Sequence, residues 1–102
     1  MNDATYAVSW KQENGSEGTG RLQLGADALS LEGRTEGLAV HVRLSYGDVR
    51  SFRLARANGE RLASRPTLVL DLAGGGSMRI ASLAQPGIVA EVADRLTKLR
   101  PC

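Results

Sequence analysis

The residues best suited to bind a ligand are five arginines in the middle of the chain, because a guanidinium can grip a phosphate or a carboxylate through two parallel hydrogen bonds. They are Arg50, Arg53, Arg56, Arg61 and Arg65. What they can do together depends on the secondary structure that carries them. A helix would align Arg50, Arg53 and Arg56 as one cationic stripe, whereas a strand would point Arg53 away from the other two.

The stretch from Leu44 to Glu60 fits a strand better than a helix. Phe52 and Leu54 alternate with small or charged residues, and the turn residues Tyr46-Gly47-Asp48 come just before them. The helical alternative rests on an apolar stripe of only about two turns, which is marginal as a helix. We therefore predict a strand that forms a hairpin with the strand before it.

Apolar and polar residues alternate through most of the chain, which is the pattern of strands with one face on a core. Turn residues separate seven such runs. Their apolar members are Tyr6, Val8 and Trp10; Leu22 and Leu24; Leu29 and Leu31; Leu38, Val40, Val42 and Leu44; Phe52 and Leu54; Leu68, Leu70 and Leu72; and Met78 and Ile80. This predicts a mainly β fold with strands over about residues 4–82.

The period changes to that of a helix over about residues 86–100. The apolar positions of this segment share one face, and charged residues occupy the other. The apolar residues are Ile88, Val89, Val92, Ala93, Leu96 and Leu99. An amphipathic helix of this kind must bury its apolar face, so we expect it to cap the open end of a bent antiparallel sheet.

The composition fits one small domain spanning residues 1–102. The chain is 42% hydrophobic, which is enough for one core, and its formal net charge of +2 is far from that of a strongly cationic nucleic-acid binder. Cys102 is the only cysteine, so an intramolecular disulfide is excluded. No apolar run approaches a membrane span, and the polar start MNDATYAVSW does not resemble a signal peptide. We therefore expect a cytoplasmic protein with no transmembrane segment.

The order of these elements resembles the pleckstrin-homology-like (PH-like) superfold, including small bacterial PH and GRAM-type domains. GRLQLGADALSLEG resembles the first-sheet hairpin of such domains, and LSYGDVRSF resembles their junction of fourth and fifth strands. SMRIASLAQPGIVAEVADRL resembles their last strand running into the capping helix. The resemblance covers roughly residues 4–100. It implies a seven-stranded bent sheet or split barrel capped by the helix, and a non-enzymatic scaffold for phosphoinositides, peptides or proteins.

Lipid-binding members of this superfold carry a basic pattern in the loop between strands one and two. Lys11 and Arg21 match its first two positions, but Gln23 stands where the last Arg is expected. Arg34 adds a cation in a neighbouring turn. Acidic residues that would repel a phosphate are close by in sequence: Glu13, Glu17, Glu32 and Glu36. Lys11, Arg21 and Arg34 are therefore weaker loop candidates than the five arginines.

No motif for catalysis, metal binding or cofactor binding stands out. Gly74-Gly75-Gly76 lacks the Lys-Ser/Thr pair and the following helix of a P-loop, which favours a hairpin turn. His41, the only histidine, has no partner at ligand spacing, and alternation places it on the outward face of a strand. We expect no enzymatic activity, no metal and no cofactor.

These observations together predict a PH-like adaptor that binds a protein partner or associates with itself. Recognition would use exposed strand edges or the arginine surface between Arg50 and Arg65. The alternatives are an anionic lipid headgroup at a membrane surface, and nucleic acid or a nucleotide on the Arg-rich surface. Nucleic acid is disfavoured because aromatic side chains for stacking are scarce.

Overall fold

The computed structural model describes residues 4–12, 15–55, 62, 65–83 and 87–99. The strands are β1 (Ala4–Gln12), β2 (Glu17–Leu24), β3 (Ala28–Thr35), β4 (Leu38–Ser45), β5 (Val49–Leu54), β6 (Thr67–Leu72) and β7 (Ser77–Ser82), and the helix is α1 (Gly87–Leu99). A three-residue 3-10 turn, Tyr46–Asp48, joins β4 to β5. The segment Val49–Leu54, which carries Arg50 and Arg53, is thus a strand, as predicted.

The seven strands form one antiparallel sheet in the order β4-β3-β2-β1-β7-β6-β5. The predicted mainly β fold with one C-terminal helix is confirmed. The sheet is not closed into a barrel, because β4 and β5 do not pair with each other among the described residues and remain its two edges. Strand β1 lies in the middle, between β2 and β7.

The inner face of the sheet carries the core, and the alternation predicted most of it, although Leu38 and Leu54 are exposed. Its buried strand side chains come from every strand except β4. They are Val8, Trp10, Leu22, Leu24, Leu29, Leu31, Val49, Leu68, Leu70, Met78 and Ile80. Helix α1 packs against β5, β6 and β7 and adds Val89, Val92 and Leu96 to the same cluster. Burying three such side chains stabilises the fold by several kcal/mol, at about 1.5–3 kcal/mol each.

The half-buried Tyr6 on β1 lies close to the polar flank of α1. Burial raises the pKa of the Tyr6 phenol, and the Glu91 carboxylate raises it further. The Arg95 guanidinium acts in the opposite direction, through its charge and through a hydrogen bond to Tyr6. The helix therefore contacts the sheet through this polar group as well as through its apolar face.

Strands β2 and β3 approach each other closely where two glycines are register partners, Gly20 and Gly33. A Cβ atom on Gly20 would lie 2.1 Å from Glu32 O, and a Cβ on Gly33 would lie 2.0 Å from Thr19 O. Both neighbours are backbone atoms and cannot rotate away. The two strands pack here in a way that only glycine permits.

Thr67 anchors the connection between β5 and β6 on the outer face of the sheet. Leu62 N donates to Thr67 Oγ1 at 2.9 Å, and the Thr67 hydroxyl donates to Arg65 O at 2.9 Å. Leu62 and Thr67 are both buried, although Thr67 points away from the main core. One hydroxyl thereby fixes the end of the connection and the start of β6.

The predicted hairpin between β4 and β5 is wrong. Tyr46 is held by the turn before β3, since its N–H donates to Asp27 O at 3.1 Å and its hydroxyl donates to Gly25 O at 2.7 Å. Two residues later, Asp48 O accepts a hydrogen bond from Ala73 N at 2.8 Å, at the end of β6. The 3-10 turn therefore carries the chain from one edge of the sheet to the other, and the outer edge of β4 keeps no partner strand in the described chain.

Candidate functional site

The free edge of β4 is the first candidate site, and the phase of its hydrogen bonds follows from its pairing with β3. The Tyr46 N to Asp27 O bond lies in register with that ladder. Hydrogen-bonded pairs alternate along an antiparallel ladder, so the even-numbered residues of β4 bond to β3. The odd-numbered residues direct their N–H and C=O groups outward. They are Ala39, His41, Arg43 and Ser45.

The turn at the other end of β4 gives the same phase. Glu36 and Gly37 form a two-residue turn, and both have positive φ, 52° and 81°. Such a turn closes on a hydrogen-bonded pair, which here is Thr35 with Leu38. Because Leu38 bonds to β3, Ala39 is the first residue whose backbone groups point away from the sheet.

The side chains of β4 divide into an apolar inner row and a polar outer row. Leu38 is 71% exposed, and Val40, Val42 and Leu44 are half-buried against the core. The exposed side chains of Ala39, His41 and Arg43 lie on the other face. The edge therefore offers backbone groups along its length and apolar side chains along one side.

The two edges of the sheet differ in regularity. Strand β4 pairs with β3 over eight consecutive positions without a register shift. Strand β5 has a shift between Val49 and Ser51, which leaves Arg50 as an extra, bulged residue. Bulges and edge charges are ways in which proteins prevent the addition of another strand. The β5 edge is thus protected, whereas the β4 edge is open and regular.

The structure describes three of the five predicted arginines, Arg50, Arg53 and Arg65. Arg50 lies at the bulge and Arg53 on the outer face of β5, both exposed. The Arg65 guanidinium reaches Ser82 O at 3.5 Å, which is a long hydrogen bond. Arg56 and Arg61 lie outside the described residues, so the arginine surface between Arg50 and Arg65 stays a prediction.

The weaker loop candidates, Lys11, Arg21 and Arg34, lie on strands and not in loops, with their side chains on the outer face of the sheet. Lys11 on β1 pairs with Glu17, whereas Arg21 on β2 pairs with Ala7. Because Ala7 and Lys11 are four positions apart, Lys11 and Arg21 are separated by about 13 Å along the strands. Arg21 and Arg34 line an open depression of about 620 Å³ that Glu32 also lines. The register does not bring Lys11 and Arg21 together as a phosphate site.

The register does bring together a different set of cations on the outer face. Arg53 pairs with Val69, Val69 with Arg79, and Arg79 with Lys11. We call the three cations Arg53, Arg79 and Lys11, together with Val69 between the two arginines, the basic row. Val69 is 4% exposed although it lies outside the main core cluster. It lies between two arginines whose aliphatic stems can cover it.

Sequence reasoning missed Arg79 as a candidate. The alternation of Met78, Arg79 and Ile80 indicates that Arg79 points outward, but it does not indicate which residues lie beside it. That information is in the pairing of β7 with β6 and with β1, which join segments far apart in the chain. A basic row built across four strands has no signature in the linear sequence.

His41 is exposed and outward, as the alternation predicted. In the part of the chain that the structure describes, no group of three or more His, Cys, Asp or Glu side chains is arranged to hold a metal ion. Gly74-Gly75-Gly76 forms the turn between β6 and β7, with Gly75 and Gly76 at positive φ. The described helix is too short and too polar to cross a membrane.

No family model and no curated protein matches this sequence. The fold is similar to that of a solved structure, the C-terminal domain of an unknown protein from Leishmania infantum, with a TM-score of 0.68. The two chains are 9% identical, and the match covers 91% of this chain and 80% of the other. At such low identity the similarity concerns the fold alone.

Proposed function

We propose that this chain is a non-catalytic binding module of the PH-like type, and that it binds protein partners by strand addition to the β4 edge. The strand order and the packed terminal helix support the PH-like assignment, because the resemblance implied this set of elements. The observation that carries the binding mode is the regular, outward-directed backbone of β4, at Ala39, His41 and Arg43.

Strand addition suits this edge for two physical reasons. Main-chain hydrogen bonds from an extended segment supply affinity, and side chains at alternate positions supply specificity. On the inner side, the added strand would cover Leu38 and the half-buried valines of β4, at about 25 cal/mol per Å² of apolar area. The protein would therefore select extended segments that are apolar at alternate positions.

Substitution of His41 by proline tests this mode. Proline removes the outward N–H of residue 41 without breaking a hydrogen bond to β3, and its ring obstructs an added strand. The probes are short extended peptides, selected from a random library on sparsely immobilised native protein. We expect His41→Pro to weaken the binding of these peptides by about tenfold or more. Fluorescence anisotropy measures the dissociation constant.

The matched control is His41→Ala, which removes the imidazole and keeps the backbone N–H. Binding should stay within about twofold of the native protein, because strand addition reads the backbone. Circular dichroism of both variants confirms that they remain folded. Equal affinity of His41→Pro and the native protein for the selected peptides would rule out strand addition at β4.

The basic row favours a second candidate function, the binding of an anionic membrane surface. Its three cations, Arg53, Arg79 and Lys11, lie on β5, β7 and β1, and the outermost two are three strand spacings apart, about 15 Å. Acidic lipids attract each such residue with about 1 kcal/mol near the surface. Glu17, which pairs with Lys11, and the nearby Asp71 reduce this attraction.

Charge reversal tests the membrane candidate. The double variant Arg53→Glu with Arg79→Glu should reduce co-sedimentation with phosphatidylserine vesicles by at least about tenfold, and binding of the native protein should fall as salt is raised. Arg43→Glu, on the outer face of β4, is the control and should bind as the native protein does. Equal loss in both variants would point to net charge rather than to the basic row.

The aromatic residues support neither candidate directly, but they argue against single-stranded nucleic acid. All four lie in the described part of the chain: Tyr6, Trp10, Tyr46 and Phe52. Trp10 and Tyr46 are buried, and Tyr6 and Phe52 are half-buried. Because base stacking needs exposed rings, this arrangement offers little platform for it.

A further inference from the structure

We infer that the strand added to β4 is β4 of a second copy of this chain, paired antiparallel about a two-fold axis at His41. This inference rests on the open β4 edge of the proposed function. It goes further than that proposal by identifying the strand that is added to β4 and the register in which the two strands pair. The resulting assembly would be a dimer with one continuous fourteen-stranded sheet, twice the seven strands of one chain.

The hydrogen-bond phase of β4 permits this pairing. Backbone groups that point outward belong to odd-numbered residues in both copies. Antiparallel pairing of an odd residue with an odd residue matches donors to acceptors, and it also keeps the inner faces of both copies on the same side. Pairing of odd with even residues would turn the apolar row of one copy to the wrong face.

Charge and size favour the register centred on His41 over the one centred on Val42. Centred on His41, the pairing sets Arg43 opposite Ala39 twice, so the one large cation of each edge meets a small, uncharged side chain. The next register, centred on Val42, would set His41 opposite Arg43 twice and place two basic groups side by side. Like charges directly opposite each other destabilise a strand pair.

Apolar complementarity favours the same register. With His41 at the centre, Leu38 faces Leu44 of the second copy and Val40 faces Val42. Leu38 has the highest exposed fraction, 71%, of the large hydrophobic residues that the structure describes. In the Val42-centred register Leu38 would instead face Tyr46, whose side chain is buried and bonded to Gly25 O. A register centred on Val40 would set Leu38 opposite Val42 but Leu44 opposite Glu36, so only the His41 register gives all four apolar side chains of β4 an apolar partner within β4.

Sedimentation of the full chain by itself tests the assembly. The native protein should reach twice its chain mass of 10.8 kDa as concentration rises. His41→Pro should raise the dimer dissociation constant by about tenfold or more, and His41→Ala should change it little. A single-chain mass for the native protein at every concentration, up to millimolar, would overturn the inference.

Cysteine cross-linking tests the register. In a Cys102→Ser background, His41→Cys should form a disulfide-linked dimer on mild oxidation, because directly opposed residues have Cα atoms about 5.5 Å apart. Val42→Cys is the control: in this register its two copies lie about 8 Å apart, too far for a disulfide. Cross-linking of Val42→Cys in place of His41→Cys would overturn the His41 register.

The two sets of experiments separate this inference from the proposed function. If the chain stays monomeric but selected peptides bind and His41→Pro abolishes that binding, the β4 edge binds other proteins and the dimer is wrong. If the native chain dimerises and His41→Pro dimerises equally well, the dimer uses another surface and this inference is wrong, whereas strand addition of other proteins at β4 is decided by the peptide-binding test alone.

Discussion

Replacement of Gly33 by alanine should destabilise the fold by about 3 kcal/mol or more, the upper range for overpacking. The added Cβ would lie 2.0 Å from Thr19 O and 2.6 Å from the Cα of Gly20. Relief requires β2 and β3 to separate, and this would disturb the pairs on both sides of the glycines. The free energy of unfolding of a small domain is about 5–15 kcal/mol in total, so a large share of the stability would be lost.

Urea denaturation followed by circular dichroism measures the effect, and Gly74→Ala is the matched control. A Cβ on Gly74 would meet nothing within 4 Å, and its φ is outside the left-handed region. That variant should match the native protein or be slightly more stable, by up to about 1 kcal/mol, because alanine restricts the unfolded chain. Equal midpoints for Gly33→Ala and Gly74→Ala would contradict the close approach of β2 and β3.

Truncation of Leu96 should have the second large effect. Leu96 is a residue of α1 and is completely buried, in the cluster that joins the helix to the sheet. Leu96→Ala should cost about 2–5 kcal/mol, from lost burial and from the cavity that remains. Because α1 contacts β5, β6 and β7, detachment of the helix would expose the inner face of those strands.

Thermal unfolding measures this loss, and Lys98→Ala is the control on the same helix. Lys98 forms an exposed ion pair with Asp94, at 3.2 Å. Exposed pairs of this spacing contribute only about 0.3–0.5 kcal/mol, so the midpoint should hardly change. A Leu96→Ala midpoint as close to native as that of Lys98→Ala would mean that α1 does not hold the sheet together.

The period-two pattern predicted the strands and their core faces because it depends on local side-chain alternation. Leu22, Leu29 and Leu70 are buried as the pattern requires. The pattern failed at the junction after β4, where turn residues alone suggested a hairpin. The deciding contacts there are made by Tyr46 with Gly25 and Asp27, about twenty residues earlier in the chain. No local signal encodes them.

The candidate sites were less predictable than the fold because each depends on strand order. The basic row needs Lys11, Arg53 and Arg79 to become neighbours, which only the pairing of distant strands achieves. The edge of β4 is likewise open because β5 pairs with β6 and not with β4. Alternation correctly placed His41 outward, but it could not show that its backbone groups also point away from the sheet.

If two molecules join through β4 as we infer, the bulge at Arg50 limits how far they can polymerise. A sheet with two equally receptive margins can add copies without end and grow into a fibre. Here one margin is smooth and the other is interrupted. Once two molecules have joined through their smooth margins, both outer ends present the interrupted strand, so growth should stop at a closed pair.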